Sequence, residues 1–269
     1  MPEPLTVPEE RISVAGIKLQ LFKAGQGPNL LVLHDCEVMT TWHPFHEALA
    51  SRFTVLAPSH PGFGASERPD NFETIEDIAY LYLELMKTAA GGRAHVLGLG
   101  VGGWIAAEMA IRCSHNMERL VLADSVGIKV GGTTDVDILD TFILTREQLL
   151  DSAWADPSLG AQRMKLPGEP DLAYEELVTL LSNREAAARY CWKPFMHNPS
   201  LRYWLRRIDV PTLVLWGEED KVVRPDYGRA FQKAIPHSQF KTIAKAGHYP
   251  YLEQPDEFVA TVSAFLAGD

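Results

Sequence analysis

The chain has little with which to build a disulfide framework or a zinc site. Its 269 residues include three cysteines, Cys36, Cys113 and Cys191, an odd number without CxxC spacing, so reduced thiols are expected. A basic excess is also missing: 25 Lys and Arg stand against 35 Asp and Glu, a formal charge of -10. That balance gives no electrostatic reason to expect nucleic acid or an anionic membrane as partner. No apolar run is long enough to span a bilayer. The opening MPEPLTVPEERISV carries prolines and acids where a secretory signal needs a basic start and an apolar core, so a cytoplasmic location is expected. There is no GxxxxGK[ST] phosphate loop, and the glycines near position 100 have no acidic ribose partner at the end of a following strand. Internal repeats and low-complexity segments are absent, and none of these patterns specifies an oligomeric state. The most telling absence is a serine. HVLGLGVGGWIAAEMA, residues 95 to 110, reads as buried strand, tight turn and helix, the setting of a G-x-S-x-G nucleophile, yet the middle position is Gly100.

What is present is an alternation of short apolar runs and amphipathic stretches. KLQLFKAG, NLLVLHD, FTVLAP, RAHVLGLG, ERLVLADS, TLVLWGEED and SQFKTIAKAG predict strands. Residues 41 to 51, 73 to 89, 102 to 113, 225 to 234 and 254 to 267 predict helices between them. The order implies an α/β fold, a mostly parallel sheet flanked by helices. The alternation breaks between Gly127 and about Leu205. There LDTFILTREQLLDSAWAD, AYEELVTLLSNREAAARYCW and SLRYWLRR read as helices joined by KLPGEPD, with no β signal. The expected organisation is a core of residues 1–127 and 206–269 with a helical cap inserted at 128–205.

Chemistry-bearing residues fall at the carboxyl ends of the expected strands, where open α/β sheets place their ligands. Asp220 follows TLVLWGEE, and His248 lies in a loop after the last strand. A carboxylate that accepts from one imidazole nitrogen leaves the other free to act as a base. The chain order of elbow, acid and histidine matches a hydrolase triad without its nucleophile.

With these segments in place, the sequence resembles the α/β-hydrolase superfamily, in particular its small cap-bearing members: esterases, lactonases, carbon-carbon-bond hydrolases and haloperoxidase-like proteins. The resemblance runs through LVLHD, PSHPGFGASERP, LGLGVGGWIAAEMA, RLVLADSVG, LRRIDVPTLVLWGEEDKVVRP and AGHYPYLEQPDEF. It implies no cofactor and no metal. It also implies, by position, that the backbone N–H groups of Cys36 and Val101 form an oxyanion hole. His34-Asp35-Cys36 departs from the H-G-x of that pattern, so His34 and Asp35 are candidates to modulate the hole; the expectation for the Asp35 side chain is that it faces solvent. Cys36 is a candidate substitute nucleophile, while Asp124 and Ser125 sit near the same sheet end. His60, His95, Trp154, Tyr190 and Trp192 are read as packing residues, the last three as possible pocket lining.

Three readings follow. In the first, Asp220 and His248 act as a general base without a covalent intermediate, by water activation or proton abstraction on a small, largely apolar substrate enclosed under an aromatic cap. In the second, the chain is a serine hydrolase of esters, lactones or C–C bonds whose serine has been replaced by Gly100. In the third, it is a non-catalytic homologue that binds a small ligand. In either enzymatic reading the space over Gly100, facing the Val101 N–H and His248, should hold a water or a ligand carbonyl.

Overall fold

The computed structural model describes residues 9–36, 41–167, 169 and 172–268. Its centre is an eight-stranded sheet in the order β1-β2-β4-β3-β5-β6-β7-β8. The strands are β1 (Glu9–Val14), β2 (Ile17–Ala24), β3 (Asn29–Leu33), β4 (Thr54–Pro58), β5 (Ala94–Leu99), β6 (Met117–Ala123), β7 (Thr212–Gly217) and β8 (Ser238–Ile243). The pairs β1–β2 and β2–β4 are antiparallel and the others parallel. Parallel strands covered on both faces need continuous apolar runs, and every residue of β5 and β7 is buried. All seven strands expected from the apolar runs are present. Strand β1 was not among them, because EERISV opens with charged residues and lies exposed at the sheet edge. It joins through Ala15 and Gly16, whose φ values of 49° and 85° suit the tight hairpin turn.

Helices α1 (Pro44–Ala50), α2 (Ile75–Ala89), α3 (Val101–Arg112), α8 (Pro225–Ala234) and α10 (Pro255–Ala267) lie where the amphipathic stretches place them. The short α9 (Pro250–Glu253) precedes α10. Between β6 and β7 come α4 (Arg146–Ala153), α5 (Pro157–Arg163), α6 (Tyr174–Cys191), α7 (Leu201–Trp204) and a 3-10 turn, Leu205–Arg207. The expected helix over LDTFILTREQLLDSAWAD is shorter than its apolar pattern. Thr145 caps α4 by accepting from the Gln148 N–H while Gln148 bonds back, so the helix starts at Arg146. Helix α5 was not anticipated, and its start is set by Asp156 accepting from Ser158 and Leu159. Two isolated bridges, Gly127 with His197 and Trp192 with Phe195, add β pairing where none was expected. No helix among the described residues is long and apolar enough to cross a membrane.

The sequence order reverses at β3: the chain moves to β4 on one side, then returns to β5 on the other. The crevice between the carboxyl ends of β3 and β5 is therefore the switch point of the sheet, where such folds bind ligands. Helix α3 rises from that crevice unusually close to the strands. A Cβ at Gly102 would overlap the Leu33 and His34 carbonyls, and one at Gly98 would overlap the backbone of Gly102 and Gly103. Neither obstacle is a side chain that can turn away. Gly102→Ala should therefore cost roughly 3 kcal/mol or more of stability, measured by urea unfolding; a loss below about 1 kcal/mol would show that α3 can back away from β3.

Candidate active site

Each loop at the switch point has a local reason for its shape. Gly100 closes β5 with φ 52° and ψ -114°, a conformation that L side chains rarely adopt. The turn aims the Val101 N–H, the first of α3, at the end of β3. Opposite it, His34 and His60 stack with ring centroids 3.7 Å apart. Their tautomers follow from fixed partners. The His60 backbone N–H donates to His34 Nε2 at 2.9 Å, so the His34 proton is on Nδ1, which donates to the Asp35 carbonyl at 2.7 Å. His60 Nε2 donates to the His34 carbonyl at 2.8 Å, so its Nδ1 accepts from the Tyr82 hydroxyl at 2.6 Å. Burial pushes His34 down to about 4, and His60 well below its usual value. These neutral rings fix the backbone of the loop that carries Asp35.

The expectations of a solvent-facing Asp35 and of an open space over Gly100 are both corrected. Asp35 is only 6% exposed, and its Oδ1 accepts the Val101 N–H at 2.9 Å. The Cys36 backbone N–H donates to the same carboxylate. A Cβ added to Gly100 would overlap Asp35 Cγ and Oδ1. The carboxylate thus fills the room that a side chain at position 100 would occupy, and it takes both N–H groups expected to form the oxyanion hole. It turns inward because donors and a nearby cation offset its desolvation.

The cation is His248. Its Nδ1 pairs with Asp220 Oδ2 at 2.8 Å, and its Nε2 stands 3.7 Å from Asp35 Oδ2, beyond hydrogen-bond reach but within strong electrostatic range. Asp220 Oδ1 accepts from Val222 and Val223 N–H at 2.8 and 2.9 Å. The histidine loop is tied down by the His248 N–H on the Ala153 carbonyl and by Glu253, which accepts from Gly247 and Ala155. Burial alone would lower the His248 pKa, but the Asp220 and Asp35 carboxylates reverse this and hold it well above 6.5. Burial opposes ionisation of Asp35, yet His248 and the two N–H groups bring its pKa below the usual carboxylate value.

Asp124, weighed in the sequence but not placed among the site residues, belongs to this cluster. It sits at the end of β6 with φ 46°, and Oδ1 accepts the Gly217 N–H at 2.8 Å. Burial and the neighbouring Asp220 push its pKa well above the carboxylate range, and Oδ2 is buried without a hydrogen-bond partner. The signal was its place at a strand end, which Ser125 shares. Ser125 is fully buried beside Gly103 and reaches only the Ala123 carbonyl. Asp124, Asp220 and His248 are the only described residues that cluster like metal ligands, within 4.8 Å of one another. Asp220 Oδ1 is taken by two N–H groups and Oδ2 by His248, so this carboxylate is better placed to hold the imidazole than to ligate.

A cavity of about 20 Å³ lies over the centre, lined by Asp35, Val101, Val126, Ile138, Met196 and His248 among others. The Cys36 thiol, the proposed substitute nucleophile, is buried at its edge. The aromatic residues expected to line the pocket lie elsewhere. Trp154 packs on Tyr249, Tyr190 borders a separate cavity beside Trp104, and Trp192 is 42% exposed between Phe142 and Phe195. Side chains around the chain reversals at Ile138 and Met196 do the lining, and helical periodicity does not mark those. His95 lies at the opposite end of β5, near Glu118.

With the fold and the site described, the family can be stated. The family model described as Alpha/beta hydrolase family matches residues 30–261, and the chain belongs to that family. It is 27% identical over 285 residues to the 2-hydroxymuconate semialdehyde hydrolase of Pseudomonas sp. (strain CF600), covering 99% of this chain and 97% of the relative. The 2-hydroxy-6-oxo-6-(2'-aminophenyl)hexa-2,4-dienoic acid hydrolase of Metapseudomonas resinovorans is 24% identical over 96% of this chain and 91% of its own. Among solved structures, a meta-cleavage product hydrolase from Pseudomonas fluorescens IP01, complexed with acetates, superposes with a TM-score of 0.77 at 22% identity, covering 97% of this chain and 98% of that one. At that identity the superposition speaks for the fold.

The packing of Asp35 over Gly100 has a direct consequence for stability. Gly100→Ser should lower it by about 1 to 3 kcal/mol, through the positive φ and the overlap with Asp35. Adding Asp35→Gly should recover the part due to overlap. Denaturant midpoints of the two variants check this; equal midpoints would mean that backbone strain alone sets the cost.

Proposed function

We propose that this chain is an enzyme in which Asp220 and His248 form a general base acting on a small, largely apolar substrate, with no side-chain nucleophile at Gly100 and no cofactor assigned. The observation that carries the reading is the 2.8 Å bond from His248 Nδ1 to Asp220, which leaves Nε2 directed at the cavity beside Asp35. A passive pocket has no need of a buried, oriented imidazole, and general bases of this kind contribute about 10² to 10⁴ in rate. In this reading, water activation is the step that His248 performs. The helical insertion at 128–205 acts as a cap, with Ile138, Leu139, Thr141 and Met196 closing over the centre. Relatives named as hydrolases of small dienoic acids and semialdehydes fit the substrate size.

The reading is tested with a panel of small hydrolysable compounds: 4-nitrophenyl acetate, phenyloxirane and 1-bromobutane. Hydrolysis of at least one of them above the buffer rate is expected, and His248→Ala should reduce it by about 10² to 10⁴. Turnover that survives in His248→Ala would overturn the assignment, and binding without turnover of any compound would favour a ligand-binding homologue.

The pH dependence has a definite sign. A raised pKa keeps His248 protonated, so it becomes a base only as pH climbs through that raised value. The rate should therefore increase with pH along a limb lying above 6.5. Asp35→Asn removes one of the two carboxylates holding the proton, so the His248 ring should titrate lower, as followed by NMR of its ring protons. An unchanged titration would mean that Asp35 does not act electrostatically on the imidazole.

A second reading, the serine hydrolase with a replaced nucleophile, is favoured by one observation: Gly100 keeps the strained elbow backbone that a nucleophile would need. Against it stands the Asp35 carboxylate in the same space. Esterase activity that appears with Gly100→Ser alone would support this second reading, whereas activity confined to Gly100→Ser with Asp35→Gly would support the first.

A further inference from the structure

The two N–H groups at the start of α3 and just after β3 are spent on a carboxylate of the protein. Val101 and Cys36 donate to the Asp35 carboxylate, so the carbon that can turn tetrahedral with its oxygen in this hole is Asp35 Cγ. A substrate carbonyl would first have to displace a bonded, buried carboxylate. The second oxygen, Oδ2, lies 3.7 Å from His248 Nε2. The walls around it are Val126, Ile138, Leu139, Met196 and Val222, an apolar setting that strips water from a nucleophilic carboxylate.

We propose that Asp35 is a nucleophile that forms an ester with a small electrophile at saturated carbon, an alkyl halide or an oxirane, and that water activated by His248 then hydrolyses this ester. The inference rests on the reading of Asp220 and His248 as the water-activating base. Attack on saturated carbon by Oδ2 suits the geometry because it leaves Asp35 Oδ1 as a carbonyl oxygen still held by the Val101 N–H. Attack on an ester carbonyl would instead give an anhydride, with the oxyanion on the substrate and the hole already filled.

The steps balance. Oδ2 forms a bond to carbon while the carbon-halogen bond breaks and halide departs with the electron pair. With an oxirane, the ring carbon-oxygen bond breaks and the alkoxide takes the Nε2 proton of His248. Esterification removes the negative charge of Asp35, one of the two charges that hold the proton on His248, so in the halide case the imidazolium releases its proton to solvent. Neutral His248 then takes a proton from water as the water oxygen bonds to Cγ, and the oxyanion developing on Oδ1 rests on the Val101 N–H. Collapse expels the alkoxide, which takes the proton from His248. The Asp35 carboxylic acid then returns a proton to His248. The net reaction adds water to yield an alcohol, halide and a proton, or a diol from an oxirane.

The test uses the full chain with phenyloxirane and 1-bromobutane as separate probes. In His248→Gln, where ester hydrolysis is blocked, intact mass should rise by one probe adduct, mapped to the Asp35 peptide and absent when Asp35→Asn is added. In the native chain, turnover in oxygen-18 water should place the label in the Asp35 carboxylate, over a control without probe. Asp35→Asn alone should abolish hydrolysis of whichever probe reacts. The proposal is overturned by label found only in the product, by an adduct on the Cys36 thiol instead, or by neither adduct nor hydrolysis with both probes. Label found only in the product together with loss of rate in His248→Ala would leave the base reading standing, whereas hydrolysis surviving His248→Ala would remove that reading as well.

Discussion

The bond from the Val101 N–H to Asp35 Oδ1 is the contact on which the rest of the centre depends. It ties the first turn of α3 to the end of β3 across the switch point. It also holds a charge in a place that would otherwise expel one. An isolated buried carboxylate costs far more than a domain can spare, and it persists only where donors and an opposite charge surround it. Asp35 has both: two backbone N–H groups and the imidazolium of His248. In turn, His248 keeps its proton because Asp35 stands on one side and Asp220 on the other. The ionisation states of the two residues support each other, so a change that neutralises either one alters the other.

That mutual support extends outward in layers. Asp220 has its second oxygen held by Val222 and Val223, and it raises the pKa of Asp124 at the adjacent strand end, so one acid fixes the imidazole while its neighbour is biased against charge. Behind Asp35, the pair His34 and His60 remains neutral and bonds only to backbone and to Tyr82. The division is physical. Histidines wrapped by carbonyls and apolar surface lose their charge, whereas the histidine wrapped by carboxylates keeps it. Neighbours, and not burial alone, decide which of these rings can do acid-base chemistry, since all three are buried.

Much of this was legible in the sequence, and the parts that were not have identifiable causes. Short apolar runs located seven strands, because strands covered on both faces read as near-continuous apolar stretches. The pairing of Asp220 with His248 was readable because both follow apolar strands, and strand ends converge at one edge of such a sheet. The inward turn of Asp35 was not readable. A loop carboxylate ordinarily faces water, and here the outcome depends on a gap at Gly100 that lies sixty-five positions away in the chain (100 minus 35). The place of Asp124 was hidden similarly, since its raised pKa depends on burial and on a neighbour that only folding supplies. Cavity lining was misread for a different reason: aromatic residues were expected there, but the lining comes from irregular segments near Ile138 and Met196.

Gly100 and Asp35 act as one packed unit across two loops. A glycine at the elbow leaves a pocket containing an N–H donor and an imidazole, a site that favours an anion. A carboxylate on the facing loop can fill it without rebuilding either loop, because Asp35 reaches from a backbone already fixed by His34. The elbow keeps its strained φ of 52° although no side chain is presented there. That strain aims the Val101 N–H, and glycine is the residue that sustains it at least cost. Asp35 and Gly100 therefore depend on each other: without the carboxylate the site would hold an unfilled polar cavity, and without the glycine the carboxylate would be forced against a side chain.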